Sequence, residues 1–260
     1  MATRPNQKTG HRRSRGREAK RLLRDREIVR KLRLLVTEAE RRHAQFGEAI
    51  EPLSVFYGKE DKPASWDLTP FPLGKQGNGK PMPQWEDLSQ WMKVTMATIV
   101  CNEWDLLTFN INLHPGLELE LVAKGKVRPH LSERVRKHLS RSIGVGREYF
   151  FVIEGHSKNS GTPTHLHMHG AIATYDAAER RKIENALAKS AGHDVRGNSR
   201  IPRAVHLDWF KVMQIAYPNY LFKFTLRDDP RLDSRRLVMS RSMTQAAKMF
   251  WNDIARPDLS

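Results

Sequence analysis

Cysteine is almost missing from this chain: Cys101 stands alone among 260 residues. That excludes an internal disulfide and suits a reducing compartment. Acidic residues are scarce too, 29 against 45 lysines and arginines, which leaves a formal net charge of +16. Such an excess goes well beyond solubility and points to a polyanionic partner, nucleic acid before an acidic membrane surface. No apolar run is long enough to cross a bilayer, and the basic amino terminus has no apolar segment behind it. Neither a membrane span nor a secretory signal is therefore expected, and the cytoplasm is the expected location. There is no internal repeat and no glycine-rich loop ending in Lys-Ser/Thr, the mark of a P-loop nucleotide site. Hydrophobic residues make up 39% of the chain, enough for a core but low enough to leave part of the chain outside it.

What is present concentrates between Tyr149 and Ile172. An apolar run ends in Glu154-Gly155-His156, polar turn residues follow from Ser157 to Pro163, and the chain resumes as Thr-His-Leu-His-Met-His-Gly-Ala-Ile. This reads as two strands joined by a turn. Alternate side chains of a strand share a face, so His165, His167 and His169 point one way, and Leu166 and Met168 the other. Imidazoles side by side are poor core material and good metal ligands, and Glu154 is placed to bring a carboxylate to the same ion.

The remainder reads in order. A basic helix is expected from about Ser14 to Gln45, its start crowded by Arg12, Arg13, Arg15, Arg17, Lys20 and Arg21, either as a phosphate-contacting arm or as a helix packed on the domain. A proline-rich connection follows, then an amphipathic helix from Trp85 to Val100. Leu106 to Asn112 alternates as a strand, with Leu107, Phe109 and Ile111 on one face and Thr108, Asn110 and Asn112 on the other. His114-Pro115-Gly116 is read as its end. A helix from about Ser132 precedes the histidine hairpin. Another opens at Asp176 in capping-box style with Glu179. A strand over Ala204–Trp209, a segment interrupted by Pro218, and a last helix over about Thr244–Ile254 complete the chain. This order is that of an α+β fold with a central, largely antiparallel sheet flanked by helices. Residues 1–84 form a basic helical extension with its connection, 85–228 the motif-bearing domain, and 229–260 a helical C-terminal extension. The basic stretch Arg231–Arg241 is expected to contact duplex phosphates.

A third element is Tyr217-Pro218-Asn219-Tyr220-Leu221-Phe222-Lys223. In a helix Tyr220 and Lys223 lie one turn apart on one face, and a nearby cation favours phenolate over phenol. Together, Leu106–Asn112, His167-Met168-His169-Gly170 and Tyr220 with Lys223 resemble the three motifs of the HUH endonucleases. The order, with tyrosine after histidines, resembles the rolling-circle replication initiators with a single catalytic tyrosine; single-tyrosine transposases of the same superfamily share it. An acidic residue closing the strand before the histidines, here Glu154, also fits.

The resemblance implies a central sheet carrying a metal held by Glu154, His167 and His169, with His165 as an alternative ligand. It implies Tyr220 as nucleophile and Lys223 as the residue that lowers its pKa or holds the phosphate. Mn²⁺ or Mg²⁺ would be the cofactor, with zinc possible on ligand chemistry. The expected substrate is single-stranded and duplex origin DNA, contacted by the basic arm and by Asn110 and Asn112. Since no helicase is fused, a host helicase and polymerase are expected partners. The competing readings are a transposase acting on element ends, a non-catalytic nucleic-acid-binding protein with a structural ion, and a hydrolase using water as nucleophile. Tyr217 is read as structural or substrate-contacting, and His206 with Asp208 as a structural pair.

Overall fold

The computed structural model describes residues 16–31, 80–101, 105–156, 163–195, 204–210, 216–223 and 229–255. In chain order the elements are α1 (16–31), a short 3-10 helix (Trp85–Asp87), α2 (Gln90–Val100), β1 (Asp105–Asn112), α3 (Pro115–Ala123), α4 (Val127–Ile143), β2 (Tyr149–His156), β3 (Pro163–Thr174), α5 (Glu179–Ser190), β4 (Val205–Phe210), α6 (Ala216–Leu221), β5 (Leu237–Met239) and α7 (Arg241–Ala255). Two compact units emerge. One is drawn from Trp104–Phe210 and Tyr220–Met243, the other from Gly16–Glu103, Lys211–Asn219 and Thr244–Ser260.

The first unit is built on a five-stranded sheet of order β4-β1-β3-β2-β5 in which every pairing is antiparallel. The α+β architecture read from the sequence is the one observed. Period-two alternation sorts β1 as expected: Leu107, Phe109 and Ile111 are buried, while Asn110 and Asn112 are exposed. Opposite them in β2 and β3, Phe151, Ile153, Leu166, Met168 and Ile172 continue the same apolar face. Helices α3, α4 and α5 cover it, α4 through Val127, Leu131, Val135 and Leu139, spaced four apart along one stripe. The helix stops at Gly144, whose φ of 91° is left-handed backbone that glycine alone adopts without strain.

Two elements depart from the sequence reading. His114-Pro115-Gly116 does end β1, but it also opens α3. The His114 side chain caps the helix by accepting from the Gly116 N–H, and Pro115 sits at the first helical position, where no N–H is needed. Likewise α4 begins at Val127 and not near Ser132; Pro129 lies in its first turn, which tolerates it. The short strand β5 was not expected. Asp176 precedes α5 without forming the capping box: its carboxylate accepts from the Ala178 N–H, and the helix starts at Glu179.

Gly170, which follows the histidine pair, is required by close approach. A Cβ there would collide with the Phe150 carbonyl oxygen, the Phe151 Cβ and the Phe109 ring. Gly170→Ala is therefore expected to destabilise the chain by about 1–3 kcal/mol, read as a lower urea midpoint with an unchanged slope.

In the second unit, α1 is tied to the start of α2 by carboxylates. Asp25 accepts from the Ser89 N–H at 2.6 Å and Glu18 from that of Gln90 at 2.7 Å, while Ser89 caps α2 through its hydroxyl. No helix among the described residues is long and apolar enough to cross a membrane.

Candidate metal centre

The register of the β2–β3 pair places Glu154 directly opposite His167, with Val152 opposite His169. All three polar side chains therefore occupy the sheet face that α3, α4 and α5 leave uncovered. Each offers one ligand atom, and these atoms lie within 4.8 Å of one another. The Glu154 Oε2 is 4.0 Å from Nε2 of His167 and 3.9 Å from Nε2 of His169, too far for hydrogen bonds. Donors held apart in this way suit a shared cation. Glu154 is fully buried, and a buried carboxylate is costly unless positive charge compensates it. The buried Nε2 of His169 has no hydrogen-bond partner among the described residues.

The protonation states agree. Burial, then the charges of His167 and Lys223, push His169 down to about 3; burial also lowers His167. Both rings are then neutral near pH 7, as metal ligation requires. The Nδ1–H of His167 donates to the carbonyl of His165 at 3.0 Å, which leaves Nε2 with its lone pair directed at the cluster. A trio of Glu154, His167 and His169 able to hold a metal ion is thus present, with the mixed nitrogen and oxygen donors of a divalent cation site.

His165 does not join it. Its Nδ1 turns to Glu118 Oε2 at 3.0 Å, and most of its side chain is in solvent. Tyr220, near the end of α6, stands edge-on to His169, with ring centroids 5.4 Å apart at 76°. The Lys223 ammonium lies over the Tyr220 ring, 3.8 Å from its centroid, a position that attracts the π face. The expected fall in the tyrosine's pKa is not found. Burial, then the Glu154 charge, hold that phenol above its ordinary value.

Asn110 and Asn112 pair in register with His169 and His167, so they share the cluster's face and are exposed beside it. One strand further out, His206 and Asp208 form an exposed pair, Nε2 to Oδ2 2.8 Å. Of the basic arm, Arg17 and Lys20 are exposed on α1, whereas Arg21 pairs with Asp87 and Arg24 with the buried Asp25. The alternative reading of that helix, packed within its unit, describes these latter arginines. Arg12, Arg13 and Arg15 lie outside the described residues. Tyr217 is half-buried in α6.

Sequence reasoning missed the support beneath the cluster. Arg231 donates from Nη1 to Glu118 Oε1 at 2.8 Å and to the Thr164 carbonyl at 2.6 Å, and from Nη2 to the Gly155 carbonyl at 2.9 Å and Asp229 Oδ2 at 2.8 Å. Glu118 in turn accepts from the Leu166 N–H as well as from His165. One guanidinium therefore ties the residue after Glu154 to the strand that carries both histidines. Gly155 is glycine for this reason: a Cβ would run into Arg231 and Asp229. Arg231 and the buried Arg236 face inward, which corrects the expectation that the whole basic stretch Arg231–Arg241 meets phosphates. A glycine after the acidic residue was the available signal; its arginine partner, 76 positions later, carries none.

No family model, curated protein or solved structure matches this chain.

Proposed function

We propose that this chain is an HUH-type endonuclease of the rolling-circle initiator class, cutting and rejoining single-stranded DNA through a tyrosine. The observation that carries the reading is the meeting of a phenol with a buried carboxylate–imidazole trio: Tyr220 packs on His169, itself beside His167 and Glu154. Motif order alone does not demand that contact.

In the proposed reaction the Tyr220 oxygen attacks the scissile phosphorus, the bond to the 3′-oxygen breaks, and that oxygen leaves as a hydroxyl. The phenol's proton passes to solvent or to the leaving oxygen. The product is a 5′-phosphotyrosine, which conserves the bond so that a 3′-hydroxyl can reverse the step. A divalent ion held by Glu154, His167 and His169, Mn²⁺ or Mg²⁺ with zinc also compatible, would act as a Lewis acid on the non-bridging phosphate oxygens. His169 orients the tyrosine ring through its edge contact, and Lys223 adds positive charge beside the nucleophile. Asn110 and Asn112 offer hydrogen bonds to a strand lying on the exposed part of the sheet face. A replication origin is the proposed substrate; element ends in transposition would use the same chemistry.

The raised phenol favours one other reading, a basic nucleic-acid-binding protein whose trio holds a structural ion. Incubation with end-labelled single-stranded DNA and Mn²⁺ or Mg²⁺, followed by denaturing electrophoresis, separates the two. A protein-linked label that vanishes with EDTA is expected. Metal-dependent binding without cleavage on any origin-derived strand would leave the structural ion as the answer.

A further inference from the structure

The helices that cover the apolar side of the sheet carry a second feature on their outer surface. Along α4, Arg134, Lys137, His138 and Arg141 recur at spacings of three and four, which puts them on one side of the helix. Arg134 joins this side to the end of α5, donating to the carbonyl of Ser190 at 2.9 Å and to that of Lys189 at 3.0 Å. Lys137, Arg141 and Lys189 are exposed, and none has an ion-pair partner among the described residues. Several other basic side chains are matched to carboxylates: Arg136 pairs with Glu133, Arg147 with Glu179, Lys124 with Glu120 and Lys248 with Glu86. His138 sits amid the unpaired group. Burial lowers its pKa first, and the charges of Arg134, Arg141, Lys189 and Lys137 lower it further.

Glu133 and Glu120 lie within electrostatic reach of Lys137 and Arg134, but each forms its ion pair with another residue, Arg136 and Lys124. Like charges gathered in excess of their counter-charges raise the free energy of the folded chain, and a polyanion relieves that repulsion. Arg134 to Arg141 spans about 10 Å of helix, and duplex DNA presents one charge per ~1.7 Å of axis, so several phosphates face the stretch at once. We propose that the outer face of α4 with the end of α5 is a docking surface for the phosphate backbone of duplex DNA, on the opposite side of the sheet from Glu154, His167 and His169. The polyanion follows from the charges; the choice of DNA rests on the strand-transfer reading above. A duplex held there leaves the metal-bearing face to a single strand.

The test uses the full chain in EDTA, so that neither metal nor chemistry contributes, with a short fluorescent duplex and anisotropy from about 50 to 200 mM salt. The triple variant Lys137→Gln, Arg141→Gln, Lys189→Gln is expected to bind at least about tenfold more weakly and to lose about 2–3 from its log–log salt slope. Its Tm should stay level or rise, since repulsion is removed. An unchanged affinity and slope, a loss confined to phosphatidylserine vesicles, or a fall in Tm would each overturn the proposal. Adduct formation on a single-stranded oligonucleotide, measured in parallel, tests the other reading separately: a chain that never forms adducts but loses duplex binding in the triple variant keeps this surface and drops the nickase.

Discussion

Tyr220→Phe is expected to cut the rate of covalent capture of a 5′ DNA end by about 10⁴-fold or more, since loss of a nucleophile removes the step itself. The prediction is sharp because the substitution takes away little else. The phenylalanine ring keeps the edge contact with His169 and the ammonium of Lys223 above it. Fold stability and Mn²⁺ affinity should therefore stay within about twofold of the parent, and single-strand binding should persist. Denaturing gels of a labelled oligonucleotide give the adduct, and titration calorimetry gives the metal affinity. A Tyr220→Phe chain that still carries covalent DNA would assign the nucleophile to another residue. One that leaves free phosphate ends would point to water.

The second large effect is at Arg231. Arg231→Met leaves Glu118 and the almost fully buried Asp229 without their cation, a loss worth about 3–5 kcal/mol when one partner of a buried pair is removed. Urea unfolding measures it. Metal affinity should fall by about 10–100-fold, the usual effect of removing the groups that orient ligands, because the guanidinium holds both the Gly155 and Thr164 carbonyls.

The pH dependence has a definite sign. Burial alone would raise the Asp229 pKa, but its hydrogen bonds with Arg231 and the guanidinium charge outweigh burial and hold it below the ordinary value. A depressed folded-state pKa contributes stability that is present above the unfolded value, near 3.9, and disappears as pH falls through the folded one. In the variant, burial acts unopposed by the arginine and the sign reverses. The gap in stability between parent and Arg231→Met should accordingly be widest near pH 7 and shrink on acidification. A gap independent of pH would mean that the arginine acts through packing alone.

The strands and the ligand trio were legible because period-two alternation is a local property. Leu107, Phe109 and Ile111 announce one face, and His167 and His169 the other. Glu154 was legible as a ligand only through its place at the end of an apolar run and through the family resemblance. Helix α3 was hidden since His-Pro-Gly serves both as a strand stop and as a helix start, and only the packing of Leu117 and Leu121 against the core decides for the helix. Charge was the least informative feature. Arg21, Arg231 and Lys137 look alike in a basic sequence, yet the first two form ion pairs with carboxylates and the third forms none among the described residues. Such pairings depend on residues 66 or 113 positions away, which no local pattern encodes.

The pairing of β2 with β3 has one more consequence. The trio exists in a single alignment of the two strands: a slip of one residue turns Glu154 to the opposite side of the sheet, and a slip of two carries it about 7 Å along the strand, beyond the reach of both imidazoles. Ion affinity in this molecule is therefore a vernier on the hairpin. Binding of a spin-active ion such as Mn²⁺ would report a shifted alignment in a chain whose helix content and melting curve look untouched.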